Sequence, residues 1–419
     1  MSEPPASEEL RDLHEFVLAL GRALSLAGTA VSETQDRLSA IAAAGGAAAA
    51  RVVVLPTTLM IAFGRAGWAT IDVIPQVGGE LRLDQISALY ELVDEAERGA
   101  VAPADGLRRL EEIHAMPPHH GALVTVLGYA AMTVGLCMVL QPTPSDVAIA
   151  AVLGALVGVI ATVARGRPTL VGLVPVFAAV VVSALSFEAV KHDIADPGLR
   201  TLIAPLVTFL PGAMLTTATV ELASGQMIAG ASRLVFGSVQ LLLLAFGIVA
   251  GVELVGLPSE TVLDDQKANL LGWWAPWLGV IVFGVATAVY LSAPRRALPW
   301  LMIVLLSAWI GQLAGERLVG ADVSGFFGAL AMTPIALAIA RLPSGPPSQV
   351  TFLPAFWLLV PGALGLIGVT AVIGDPATAS IEDLVTPIGA IVSIALGVLA
   401  GVSLDHVLVS WRAGGPARR

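Results

Sequence analysis

Two Pro-Gly-Ala steps, 150 residues apart, interrupt long apolar stretches of this 419-residue chain. Pro211 and Gly212 begin the first step, and Pro361 and Gly362 begin the second. Proline removes a backbone donor, and in a hydrocarbon environment no water replaces the hydrogen bonds that are lost. The freed backbone groups and half-helix ends can then face a ligand. The paired steps therefore predict the substrate site of a membrane transporter.

Polar residues that do not suit lipid follow the first step. Thr217 lies one helical turn before Glu221, and Thr216 lies five residues before it. A helix would therefore place hydroxyl groups between the break and the acid. An ionisable group inside a span is costly unless it faces a cavity or a partner. Two readings of Glu221 stay open: a functional carboxylate that binds substrate or couples protons, and a solvated residue at the cytoplasmic mouth.

The second step has no such polar neighbours, because apolar residues and glycine follow it. We therefore expect the substrate at the first step, with Pro361 and Gly362 contributing backbone from the second half. Gln240 and Gln312 lie in the middle of apolar segments. For both, an interhelical hydrogen bond is favoured over contact with the substrate.

Asp405 and His406 are further candidates for proton coupling, near the end of the last apolar segment. An acid beside a histidine could relay protons in a proton-driven carrier. An interfacial position without such a role is the alternative.

The sequence argues against an enzyme and against a pump driven by ATP. It has no glycine-rich phosphate loop. His14 and Asp72 could meet in the soluble part, but no nucleophile motif accompanies them. His119 and His120 have no third ligand at a useful spacing for a metal. We therefore expect no cofactor, no metal and no catalytic residue.

Membrane-spanning helices would have to position these residues. The chain is 56% hydrophobic and 13% charged, about half the charged share of an ordinary globular protein. After residue 121, apolar runs follow one another that are long enough to cross a hydrocarbon core about 30 Å thick. The pattern predicts ten spans, in the windows 122–141, 146–164, 169–187, 200–222, 233–257, 273–292, 298–315, 323–340, 352–373 and 385–409.

The basic residues predict the orientation of these spans, because cytoplasmic loops carry the excess of lysine and arginine. With the N-terminus inside, the inner loops and tail hold Arg165, Arg167, Arg233, Arg295, Arg296, Arg341, Arg412, Arg418 and Arg419. The outer loops hold only Lys191, Arg200, Lys267 and Arg317. Both termini are therefore expected in the cytoplasm, and the start of the chain shows no cleavable signal.

The spans divide into two modules of five, over 118–257 and 258–411, followed by a cytosolic tail over 412–419. Because five is odd, duplicated modules would have opposite orientations, as in many secondary transporters. The predicted fold is therefore an α-helical polytopic membrane protein, with ten transmembrane helices as an inverted 5+5 repeat and a small N-terminal α+β cytosolic domain.

The N-terminal domain covers residues 1–117 and holds most of the net charge of −10. Gly28 and Thr29 mark a weak point in its first helix, and a hairpin loop is expected over 64–67. Its role could be that of a gate, a regulatory cap or an oligomerisation domain. Its periodicity predicts the order α-ββ-αα, with elements over 10–41, 51–63, 68–74, 83–98 and 104–115.

Several of these segments resemble the threonine/serine exporter family. In the soluble part they are 20–24, 27–30, 54–58 and 73–75, which read LGRAL, AGTA, VLPTT and VIP. In the membrane part they are 211–225, beginning PGAMLTTA, and 360–363, VPGA. The resemblance extends from about residue 12 to 409. It implies a ten-span carrier in a bacterial inner membrane that exports threonine and serine, driven by the proton gradient.

One residue departs from the family pattern, because Glu221 stands where an aspartate is expected. Members of the family whose protein is divided between two chains transport dicarboxylates, so the fold does not determine the substrate. The partners expected are a small amino acid or carboxylate, the lipid bilayer and no nucleic acid, with a homo-oligomer left open. An exporter of dicarboxylates such as succinate is one alternative. A membrane-anchored sensing or hydrolytic protein is the alternative from another class.

Overall fold

The computed structural model describes residues 8–62, 69–73, 81–140, 143–165, 167, 172–194, 200–256, 271–321, 323–359, 366–370 and 381–412. The chain divides into two compact units. The N-terminal unit consists of Met1–His119 and Glu221–Ser232, and the membrane unit consists of His120–Val220 and Arg233–Arg419. A short segment from the middle of the sequence therefore belongs to the N-terminal unit.

The N-terminal unit combines four helices with an antiparallel sheet of three strands in the order β1-β2-β3. Leu20, Leu24, Leu38 and Leu59 are fully buried, so apolar faces of α1, α2 and β2 form its core. The elements are α1 (Glu8–Leu26), α2 (Val31–Ala44), β1 (Arg51–Leu55), β2 (Thr58–Ala62), β3 (Ala69–Val73), α3 (Leu83–Glu97) and α4 (Pro103–Ala115).

The single helix predicted over 10–41 is two helices in the structure. Gly28 has a φ of +77°, a left-handed conformation that glycine adopts without a clash at Cβ. The N–H of Thr29 then donates to the carbonyl of Leu24 at 3.2 Å, which closes the end of α1. The weak point expected at these residues is therefore a helix end.

The strand predicted over 51–63 is a hairpin. Leu55 pairs with Thr58, so Pro56 and Thr57 form the two-residue turn between β1 and β2. Proline has no N–H to donate to a neighbouring strand, which favours a turn at this position. The sheet consequently has three strands, whereas the sequence pattern predicts two. The hairpin loop expected over 64–67 lies outside the described residues.

Helices make up the described part of the membrane unit, with single 3-10 turns at Val207–Phe209 and Arg295–Ala297. The helices are α5 (Ala122–Val139), α6 (Pro144–Ala164), α7 (Val174–Lys191), α8 (Arg200–Leu206), α9 (Gly212–Ala223), α10 (Met227–Val255), α11 (Ala275–Tyr290), α12 (Leu298–Val319), α13 (Ser324–Ala340), α14 (Ser348–Leu359) and α15 (Ile381–Arg412).

Six described helical segments are long and apolar enough to cross a membrane, namely α5, α6, α7, α10, the segment 295–319 that includes α12, and 388–411 of α15. The residues of α8 and α9 form a bent pair that would make a seventh span. The helices α11, α13 and α14 are apolar but shorter. By length and composition the chain is a membrane protein with several spans. The count of ten and the inverted repeat stay predictions.

The helices α5 and α11 pack with their backbones in close contact. A Cβ atom added at Gly135 would lie 2.4 Å from the backbone nitrogen of Phe283, and one added at Gly279 would lie 2.7 Å from the carbonyl oxygen of Gly135. Small residues at helix interfaces allow this approach in membrane proteins. Glycine is therefore required at both positions by the distance between the two helices.

We expect Gly135→Ala to destabilise the protein by about 1–3 kcal/mol, because the added methyl group must push the two backbones apart. Thermal unfolding of the detergent-solubilised protein measures the effect. Gly389→Ala on α15 is the matched control, since an added Cβ there meets nothing within 4 Å. Equal midpoints for the two variants would contradict this packing.

Candidate functional site

The candidate site is the helix break between α8 and α9. The 3-10 turn Val207–Phe209 follows α8, and Leu210 is extended, with φ −72° and ψ 125°. The new helix begins at Gly212, and the two helical segments are bent by 54°. The predicted interruption at Pro211 and Gly212 is therefore present. Both residues are buried.

Side chains from two other helices bond to carbonyl groups at the break. The hydroxyl of Tyr129 on α5 donates to the carbonyl of Pro205 at 2.8 Å and lies 2.7 Å from the hydroxyl of Thr208. The amide nitrogen of Gln240 on α10 donates to the carbonyl of Phe209 at 2.9 Å. These bonds take the place of water in an apolar region. Gln240 makes the interhelical bond that its mid-span position suggested.

Tyr129 lies outside the motifs that predicted the site. Its side chain is fully buried, and its ring meets the ring of Tyr290 edge to face at 4.9 Å between centroids. The guanidinium of Arg165 lies 5.5 Å from the centroid of the Tyr290 ring, within cation–π range. A phenolic hydroxyl inside an apolar span needs a partner, and this was the signal available in the sequence.

The first turns of α9 carry the hydroxyl groups expected beside the break. Thr216 is 0% exposed, and its hydroxyl has no hydrogen-bond partner among the described residues. Thr219 differs, because its hydroxyl donates to the carbonyl of Leu215 in the same helix at 2.9 Å. Thr217 is partly buried. An unpaired buried hydroxyl is costly, so Thr216 is the position on α9 where a polar ligand would restore a missing bond.

Glu221 lies in the last turn of α9 and belongs to the N-terminal unit. It is 2% exposed, so the reading as a solvated residue is wrong. Its Oε1 accepts a hydrogen bond from the backbone N–H of Val31 at 3.1 Å. Val31 is the first residue of α2, where N–H groups lack intrahelical partners and the helix dipole favours an anion.

Arg37 forms the ion pairs of α2 that the structure describes. Arg37 contacts Glu33 at 3.0 Å and Glu97 at 3.2 Å, and its guanidinium lies 5.0 Å from the centroid of the Tyr90 ring. Burial raises the pKa of Glu97, and the nearby Arg37 opposes this shift. Tyr90 also lies 2.9 Å from the hydroxyl of Thr29. These contacts join α2 to α3 beside the turn that precedes Val31.

Asp405 is 3% exposed and forms an ion pair with Arg341 through both carboxylate oxygens. Arg341 follows the last residue of α13, and Asp405 lies in α15. The pair therefore joins two helices. His406 is exposed, and successive residues of a helix do not face each other. A proton relay through Asp405 and His406 stays a prediction.

Two predicted site residues, Pro361 and Gly362, lie outside the described residues. The helix α14 ends at Leu359, just before them. Among the side chains that the structure describes, no group of three His, Cys, Asp or Glu residues could hold a metal ion.

Residues 15–255 of the chain match the family model described as "Putative threonine/serine exporter". This match covers the soluble helices and sheet, the break and α10. It ends before the second Pro-Gly-Ala step. No solved structure matches the chain.

Fungal proteins are similar to this chain over most of its length. An uncharacterised protein of Schizosaccharomyces pombe is 23% identical over 374 residues, which cover 84% of this chain and 48% of that protein. Pheromone-regulated membrane protein 10 of Eremothecium gossypii is 24% identical over 391 residues, covering 84% of this chain and 51% of the relative. The protein of the same name in Debaryomyces hansenii is 22% identical over 360 residues, which cover 83% of this chain and 36% of that protein. The chain thus spans about half or less of the length of these relatives.

We expect Tyr129→Phe and Gln240→Leu each to destabilise the protein by about 1–3 kcal/mol, because each leaves a buried carbonyl at the break without its donor. Thermal unfolding in detergent measures both. Ser238→Ala on α10 is the matched control, since the hydroxyl of Ser238 is exposed and donates to Leu234 in its own helix. If both test variants unfold at the same temperature as the wild-type protein, the role of these side chains at the break is contradicted.

Proposed function

The chain belongs to the threonine/serine exporter family, and from that premise we propose that it is a secondary exporter of small amino acids, threonine and serine among them. The proton-motive force would drive export. The observation that carries the proposal is the broken helix, whose second half begins at Gly212 and places the unpaired, buried hydroxyl of Thr216 one turn further on. Discontinuous helices of this kind hold substrate in many secondary transporters.

The chemistry of the break suits the carboxylate of an amino acid. The first N–H groups of α9 lack intrahelical partners, and the positive end of the helix dipole attracts an anion. Pro211 and Gly212 would leave the backbone accessible to the substrate. The hydroxyl of Thr216 could then bond to the ammonium or hydroxyl group, with Thr217 beside it. In this proposal Pro361 and Gly362 complete the site from the second half of the chain.

Proton coupling requires an acid or base that changes partner during transport. Glu221, Asp405 and His406 are the proposed coupling residues. Two of them, Glu221 and Asp405, are buried and hold a hydrogen bond or ion pair in the structure. Protonation of either carboxylate would weaken its contact and favour a conformation in which the contact is broken.

The proposed architecture has ten spans in an inverted 5+5 repeat. Each of the ten predicted windows overlaps a described helix: six candidate spans, the bent pair and three shorter apolar helices. The excess of arginine in the predicted inner loops supports a cytoplasmic location for both termini and for the N-terminal unit. A bacterial inner membrane is the proposed location, by the family resemblance.

An exporter of small dicarboxylates such as succinate is the second candidate. The N-terminus of α9 beside the break supports it too, because a helix N-terminus binds one carboxylate of a dicarboxylate as well as that of an amino acid. The two candidates differ in the group of the substrate that would contact Thr216. Efflux measured for a panel of substrates distinguishes between them.

We expect vesicles that contain the protein to lose preloaded labelled threonine or serine faster than empty vesicles, and a protonophore to reduce the difference. Succinate, alanine and aspartate complete the panel, and loss of label over time is the measurement. Efflux of succinate alone would favour the dicarboxylate candidate. Equal efflux from protein-containing and empty vesicles for every compound would refute an exporter of either kind.

We expect Thr216→Val to slow export of the preferred substrate about tenfold or more, because a buried hydroxyl that bonds to the substrate is removed. Thr219→Val is the matched control on the same helix, since the hydroxyl of Thr219 already bonds to Leu215. The initial rate of efflux is measured for both variants at equal protein content. Equal rates for the two variants would place the substrate away from Thr216.

A further inference from the structure

Two polar groups on α12 are buried without a hydrogen-bond partner in the part of the chain that the structure describes. They are the indole N–H of Trp309, at Nε1, and the amide oxygen Oε1 of Gln312. Both residues lie in the segment 295–319, which is long and apolar enough to cross a membrane. The sequence pattern favours an interhelical hydrogen bond for Gln312, and for its Oε1 this prediction is wrong. Unpaired polar groups are costly in an apolar region, so such positions are candidates for binding a ligand.

The same two residue types are bonded elsewhere in the membrane unit. The indole N–H of Trp300 donates to the carbonyl of Ser344 at 3.1 Å, and the amide of Gln240 donates to the carbonyl of Phe209 at 2.9 Å. Most buried polar groups in proteins are bonded in this way. The two unpaired groups of α12 are therefore exceptions that occur together.

Side chains of neighbouring helices lie against the pair. The ring of Trp277 on α11 meets the ring of Trp309 edge to face at 6.4 Å between centroids. A Cβ atom added at Gly328 on α13 would lie 3.3 Å from Cβ of Gln312 and 2.5 Å from Cδ2 of Leu359. Leu359 is the last residue of α14. Gln312 therefore lies where α12, α13 and α14 meet, and Trp309 lies against α11.

The spacing of the pair allows one small group to contact both atoms. Residues three positions apart on a helix share a face, with about 5–6 Å between their Cβ atoms. The indole N–H can only donate a hydrogen bond, and the amide oxygen can only accept one. A hydroxyl group accepts one hydrogen bond and donates another, so it satisfies both atoms at once. A carboxylate lacks the donor, and an ammonium group lacks the acceptor.

We propose that Trp309 and Gln312 form a second binding site, which takes the hydroxyl group of a small hydroxylated carboxylic acid. That this ligand is a transported substrate rests on the proposed function. Neither atom is open to solvent in the structure, and a transporter with alternating access exposes its sites in only part of its cycle. The pair selects substrates that carry a hydroxyl group, whether they are amino acids or dicarboxylates.

Thermal unfolding in detergent tests whether the amide of Gln312 is unbonded. We expect Gln312→Leu to unfold at the same temperature as the wild-type protein or a higher one, because it removes an unpaired polar group from an apolar region. Gln240→Leu removes a bonded amide and should unfold at a lower temperature. A midpoint for Gln312→Leu as low as that of Gln240→Leu would show that this amide has a structural partner, and would overturn the proposal.

Equilibrium binding of labelled compounds to the full-length protein in lipid nanodiscs tests the site without transport. Threonine is compared with valine, and malate with succinate, because the members of each pair differ at the hydroxyl group. We expect the hydroxylated member of the transported class to bind about tenfold or more tightly than its partner, since the partner leaves two buried polar groups unpaired. The pair that shows this preference identifies the class.

Variants assign the preference to the two residues. We expect Gln312→Leu and Trp309→Phe each to reduce it about tenfold. Ser307→Ala is the matched control on the same helix, since the hydroxyl of Ser307 donates to Val304 at 2.7 Å. Trp273→Phe is the control for the indole, since Trp273 is 81% exposed. Both controls should keep the wild-type preference.

Three results would overturn the second site: equal affinities within both pairs of compounds, a preference kept in both test variants, or an equal loss of affinity for both members of a pair. The last result would show that the residues contact another group of the ligand. Binding with a hydroxyl preference but without efflux of any compound would refute the proposed function and support the site.

Discussion

A backbone hydrogen-bonding group cannot be left unpaired in an apolar environment, and the helix ladder of the membrane unit fails at the step Pro211–Gly212. Pro211 removes a donor, and the chain is extended at Leu210 before α9 begins. Two carbonyls there accept bonds from Tyr129 and Gln240, which lie on different helices. The break therefore also fixes the positions of α5 and α10 around it, since each must present a donor to it.

The same constraint explains why the break can be a site as well as a defect. Carbonyl groups on the α8 side are bonded by protein side chains, whereas the first turn of α9 presents N–H groups and the buried hydroxyl of Thr216. One side of the break is thus satisfied within the protein, and the other offers donors to an anion. The far end of α9 carries Glu221, which caps α2. A single helix of 12 residues consequently bears the proposed substrate groups at its start and a contact of the N-terminal unit at its end.

Much of the fold could be predicted from the sequence, because the signals were local. Apolar runs located the helices of the membrane unit, and the Pro-Gly step located the break. Errors arose where one residue changed the direction of the chain. Gly28 ends a helix through a positive φ, and Pro56 turns a strand into a hairpin, so periodicity alone joined elements that the structure separates.

The sequence by itself determined that the chain enters a membrane and where its helices lie. It also determined that the first break has polar neighbours. These features follow from apolar runs, proline and threonine residues that are only a few positions apart in the sequence. Only the tertiary structure decided the partners of those polar groups. The contacts Val31 with Glu221, Arg341 with Asp405 and Tyr129 with Pro205 join positions 190, 64 and 76 residues apart. No local pattern encodes such pairs, since the partner is set by which helices pack together, and in two of the three the partner atom is a backbone group that every residue possesses.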